Sequence, residues 1–134
     1  MEEEKKEKQF SDLDFEIDFY ERLLKEKPRF VQALIALGEA YTKKGFFKKG
    51  LLIDTRLAKL RPHDATVRYN LACSYSLLGE IEKALQQLRL SIRLGYADFE
   101  HMDKDPDLEN LRNHPDYKEI ASLFKNKAET KSFE

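Results

Sequence analysis

The chain contains no tryptophan, one cysteine, four prolines and five glycines in 134 residues. A single cysteine, Cys73, excludes an internal disulfide framework and fits a reducing compartment. So few prolines and glycines leave little room for long disordered or glycine-rich segments. An excess of charge of one sign is also missing: 24 basic and 25 acidic side chains give a formal charge of −1. Nothing is left over to neutralise a phosphate backbone, so no nucleic-acid partner is expected. Apolar runs are only a few residues long, which argues against membrane insertion. The leading stretch MEEEKKEKQF lacks the apolar core of a secretory signal, and a cytoplasmic location is expected. What is present is 41% hydrophobic and 37% charged residues, enough for one core beneath a heavily charged surface.

Two blocks of equal length lie end to end, Val31 to Asp64 and Ala65 to Asp98. Their register pairs Leu37 with Leu71, Tyr41 with Tyr75, Gly45 with Gly79 and Leu51 with Leu85. The small residues Gly38/Ala72 and Gly50/Ala84 fall in step, and Pro28 and Pro62 repeat at the same offset, with Tyr96 where the next proline would stand. Each block reads as two helices. Phe30, Leu34, Leu37 and Tyr41 recur at the spacing of one helical face. Lys43, Lys44 and Gly45 then end the helix, with cations at its negative pole and a glycine that tolerates the left-handed cap. The partner helix spans about Phe47 to Leu60, with stripes Phe47–Leu51–Ala58 and Ile53–Leu57–Leu60, and Pro62 stops it. In the second block Val67, Leu71, Tyr75 and Leu78 form the first stripe and Ile81, Leu85, Leu88 and Ile92 the second. Gly79 and Gly95 close these helices, and Asp64 is placed to cap the first of them.

The flanks differ. Residues 1–10 read as a charged flexible segment. Residues 11–126 read as a single domain: a half-repeat over 11–30, repeats over 31–64 and 65–98, and a C-terminal cap over 99–126. The half-repeat helix starts at a capping-box-like Ser11/Asp14 and carries the stripes Leu13–Ile17–Tyr20–Leu24 and Phe15–Phe19–Leu23. In the cap, Asp105-Pro106-Asp107 can start a short helix, and Pro115 opens a last one with Tyr117, Ile120, Ala121 and Phe124 on one face. Residues 127–134 read as a polar tail.

These blocks resemble the tetratricopeptide repeat family. Along its pattern the first block reads Leu34, Leu37-Gly38, Tyr41, Gly50, Asp54, Leu57 and Pro62, and the second Arg68, Leu71-Ala72, Tyr75, Ala84, Leu88, Ser91 and Gly95, with glycine for the first alanine in one block. The aromatic start is missing from both blocks. The resemblance implies an all-α fold, an α–α superhelix of helix hairpins with helical caps. The stretch DFEHMDKDPDLENLRNHPDYKEI is similar to an end segment of bacterial repeat proteins of this kind, which suggests a bacterial source.

The resemblance also implies that the first helix of each repeat lines a concave groove for a protein or peptide partner. Groove candidates are Gln32, Ile35, Glu39, Thr42 and Lys43, then Thr66, Tyr69, Asn70, Cys73, Ser76 and Leu77. Tyr69 and Asn70 are favoured: a ring offers area at low entropy cost and an amide can bond a peptide backbone. A clamp for acidic C-terminal tails, known in the family, is not expected, because Ile35 and Glu39 replace two clamp residues and a glutamate repels a carboxylate. Lys43, Lys44, Lys48 and Lys49 form a basic edge that reads as solvated surface.

Enzymatic signals are not found. His63, His101 and His114 lie far apart and make no metal-type cluster with Cys73. His101 and Asp105 are four apart, but Pro106 is expected to interrupt the helix that would pair them. No phosphate loop, nucleophile elbow or dinucleotide fingerprint occurs. The reading is therefore a non-catalytic adaptor or assembly factor with no cofactor and no metal. Two alternatives stand beside it. One is a self-assembling homo-oligomer that pairs through its end helices, with Phe15, Phe19, Ile53 and Tyr117 as contacts where they remain exposed; the other is an accessory subunit of an enzyme complex. Two repeats fall short of the roughly three that stacking needs, so the flanking helices are required as caps. Truncation after Leu94 is expected to abolish cooperative thermal melting followed by circular dichroism; melting near the full-length temperature would contradict the cap assignment.

Overall fold

The computed structural model describes the backbone of residues 2–132 and the side chains of residues 12–124. Among the described residues there is no strand. The helices are α1 (Glu2–Glu26), α2 (Val31–Lys44), α3 (Phe47–Leu60), α4 (Ala65–Leu77), α5 (Ile81–Arg93), α6 (Phe99–Lys104) and α7 (Pro115–Ser132), with a 3-10 turn over Pro106–Leu111 between the last two. The chain divides into two compact units, Met1–Leu60 and Arg61–Glu134, where one domain was expected. The first unit is a helix hairpin covered by α1, and the second is a hairpin covered by the C-terminal segment.

In the first unit α2 and α3 form the hairpin. Gly45 sits at φ 85°, the left-handed conformation, where a side chain would be strained. Its N–H donates to the Thr42 carbonyl and that of Phe46 to the Tyr41 carbonyl, closing α2. The helices approach at two glycines. A Cβ on Gly38 would lie 3.3 Å from Ile53 Cγ2, and one on Gly50 would lie 3.4 Å from Thr42 Oγ1. Leu34, Leu37, Ile53 and Leu57 are buried, as their spacing requires. Helix α1 covers α2 with Leu13, Ile17 and Leu24. Two polar ties reinforce it: Tyr41 Oη donates to Glu21 Oε1 at 2.6 Å, and Lys44 Nζ lies 2.7 Å from Asp14 Oδ1.

In the second unit Asp64 caps α4 as expected, its Oδ1 accepting from the Val67 N–H at 3.1 Å. Gly79 and Gly95 take positive φ at the helix ends. Ala72, Ala84, Leu85 and Leu88 meet between α4 and α5. Met102, Leu108, Leu111, Tyr117, Ile120 and Phe124 complete this core from the C-terminal segment.

Three boundaries differ from the sequence expectation. The backbone is helical from Glu2, so Ser11 lies inside α1 and starts nothing. The tail is helical through Ser132; Met1 and residues 133–134 lie outside the described residues. Both stretches lack glycine and proline and are rich in strong helix formers, so nothing local stops the helix. The Pro106 helix is a 3-10 turn, and α6, capped by Asp98, precedes it. Gly45→Ala is expected to cost about 1 kcal/mol, all of it backbone strain because a Cβ there meets nothing within 4 Å; urea unfolding with an unchanged m-value checks this.

Candidate functional site

On α2 the candidate residues lie outside the core stripe. Gln32, Glu39 and Lys43 are exposed, and Ile35 and Thr42 are half-buried. The Thr42 hydroxyl is already committed, donating to the Gly38 carbonyl at 3.0 Å.

On α4 the candidates split. Thr66 is exposed, and Asn70 and Leu77 are half-buried. Tyr69, Cys73 and Ser76 are buried, which corrects their assignment as partner contacts. They sit at i, i+4 and i+7, one stripe of α4, and the segment from Asp98 to Arg112 packs against this side of the helix. Tyr69 stacks on Tyr96 with ring centroids 4.2 Å apart and planes 4° from parallel. Tyr96 stands where the repeat pattern has proline, so the departure has a packing reason. The Ser76 carbonyl accepts from Asn110 Nδ2 at 2.8 Å. The Tyr69–Cys73–Ser76 stripe of α4, expected to receive a partner, is filled by the chain itself, and Thr66, Asn70 and Leu77 are left beside it.

At the centre of this contact is Asp105, a buried carboxylate. Its Oδ2 accepts from Tyr69 Oη at 2.6 Å and lies 3.2 Å from His101 Nε2 and 3.7 Å from Cys73 Sγ. Its Oδ1 accepts from the Asp107 N–H at 3.0 Å, capping the 3-10 turn. His101 and Asp105 therefore do meet: α6 runs through Lys104, and Pro106 falls after the pair. Arg112 donates to the carbonyls of Asp105 and Met102 and pairs with Glu109, pinning the turn from outside. Sequence reasoning saw Asp105 only as a helix start, because a cap needs one local oxygen and gives no sign of the other.

The cluster has the make-up of a cation site in part. Ligand atoms of Cys73, Asp105 and Asp107 lie within 4.8 Å of one another. Oδ2 of Asp105 is already met by Tyr69, Cys73 and His101, so a cation at that oxygen would compete with them. Burial raises the Asp107 carboxyl above its ordinary value, and the neighbouring Asp105 charge adds to this. Burial also pushes the Tyr69 phenol well above its ordinary value, followed by Cys73 and by the hydrogen bond to Asp105. Tyr96 is pushed up to about 12, again chiefly by burial.

No family model matches the chain. It is similar to a chloroplastic protein of Arabidopsis thaliana, at 38% identity over 68 residues; these are half of this chain and 20% of that protein. Among solved structures it is similar to a chain described as MamA 41-end from Desulfovibrio magneticus RS-1. The TM-score is 0.71 at 18% identity, covering 89% of this chain and 66% of that one. The fold is TPR-like. No helix among the described residues is long and apolar enough to cross a membrane.

Of the four contacts expected for self-assembly, Ile53 and Tyr117 are buried, whereas Phe15 and Phe19 are exposed. Tyr69→Phe is expected to cost about 1–3 kcal/mol, because Asp105 loses a buried donor. The same variant alters alkaline stability. Below the ordinary phenol value of 10.0 Tyr69 is protonated in both states and contributes no slope. Above it the unfolded chain loses its proton first, so stability falls by up to about 1.4 kcal/mol per pH unit. Urea melts between about pH 8 and about pH 11 should show a shallower decline in Tyr69→Phe than in the wild type.

Proposed function

We propose that this chain is a tetratricopeptide-repeat protein that binds segments of other proteins without catalysis, as an adaptor or assembly factor. The observation that carries the reading is the pair of leading helices. Each keeps polar and apolar side chains outside its core stripe, exposed or half-buried: Gln32, Ile35 and Glu39 on α2, Thr66, Asn70 and Leu77 on α4. A surface mixing amides with aliphatic groups suits an extended or helical segment, which brings backbone polar groups and apolar side chains together. With Tyr69 inside, Asn70 becomes the leading contact on α4 and Glu39 on α2. A bacterial, cytoplasmic setting belongs to the same proposal, although the plant relative is a chloroplast protein.

Photo-cross-linking from positions 39 and 70 in native cells tests it. The expected result is a cross-linked protein at each position, whose affinity for the purified chain falls at least tenfold in Glu39→Lys for the first and in Asn70→Asp for the second, with helicity unchanged. Unaltered affinity in both variants overturns the assignment of these faces.

A further inference from the structure

Helix α1 repeats the design of α3 but leaves one stripe uncovered. By the register that aligns Pro28 with Pro62, Phe19 corresponds to Ile53, Leu23 to Leu57 and Glu16 to Gly50. In α3 those residues are buried, and Ile53 lies against Gly38 of the facing helix. In α1 Phe19 is 52% exposed, and Phe15, one turn before it, is 72% exposed. The opposite stripe of α1 is used, with Leu13, Ile17 and Leu24 buried. Two neighbouring phenyl rings in water form an apolar patch of the kind that marks an interaction site.

The surroundings say what covers it. Asp12, Glu16 and Glu26 lie within one helical turn of the Phe15–Phe19–Leu23 stripe in sequence, are exposed and pair with no described residue, while Asp18 pairs with Arg22. Residues 12–26 hold six carboxylates and two cations, so a second copy laid on this face meets net repulsion. Glu16 is the deciding residue. Where Gly50 of α3 admits the small-residue face of its partner helix, α1 presents a carboxylate that such a face leaves unpaired. An occupant bearing lysine or arginine beside its apolar stripe satisfies both the rings and the acids.

We infer that the Phe15–Phe19 face of α1 is a docking surface for a basic amphipathic helix of another protein. It occupies the place of a leading helix, with apolar side chains on Phe15, Phe19 and Leu23 and cations at Asp12, Glu16 and Glu26. This surface is separate from the α2 and α4 faces above.

Two synthetic probes test it against the full chain: an amidated leucine/lysine peptide of helical spacing, and its leucine/glutamate counterpart. The lysine peptide should bind, and the glutamate peptide should bind at least tenfold more weakly. F15S/F19S should weaken the lysine peptide at least tenfold with helicity and melting temperature retained. Because a double variant can lose its fold, E16K alone is the second arm and should weaken the lysine peptide at least threefold. Asn70→Asp should leave binding unchanged, which separates this surface from the α4 face. The inference is overturned if the lysine peptide does not bind, if both peptides bind alike, or if folded F15S/F19S or E16K binds as the wild type does. Sedimentation of a wild-type dimer that F15S/F19S dissolves would assign the face to a second copy and overturn it too.

Discussion

A carboxylate buried from water must be met by donors, or it costs more than its helix can return. Asp105 meets that demand with Tyr69 from α4, His101 from α6 and the amide of Asp107 from the next turn of chain. These donors converge only when the C-terminal segment lies along α4. The carboxylate thus couples the hairpin to its cover, and the apolar residues around it, Met102, Leu108 and Leu111, are buried by the same event. Arg112 closes the arrangement by binding the carbonyls at the end of α6.

This coupling decides which side of α4 stays open to solvent. Ile35, Glu39 and Thr42 on α2 stand in register with Tyr69, Cys73 and Ser76 on α4. The first three are exposed or half-buried, and the second three are interior. Equal positions in a repeat therefore do not carry equal roles. The face of α4 that remains is narrower than the pattern implies and centres on Asn70. In the first unit α1 covers α2 with one stripe and turns Phe15 and Phe19 outward.

Much of the architecture was legible before any coordinate. The bounds of α3 come from its apolar spacing and Pro62, the left-handed turns from Gly45, Gly79 and Gly95, and the α4 cap from Asp64. These signals are local: each depends on residues within a turn or two. The misreadings are of two kinds. Ser11 looked like a cap because its type suits one, but strong helix formers on both sides carry the helix through it. Pro106 by its type suggests a break between His101 and Asp105. The helix instead ends at Lys104, ahead of the proline, and the turn already completed brings the two side chains together.

Fold class, hairpin pairing and the outward character of Glu39 and Gln32 thus derive from composition and spacing, because helical periodicity and turn chemistry are written over short stretches of chain. Whether Tyr69 faced a partner or the interior was decided 27 and 36 residues away, by where Tyr96 and Asp105 come to lie. A helix face is inside or outside only relative to what packs on it, and no local pattern records the identity of that neighbour.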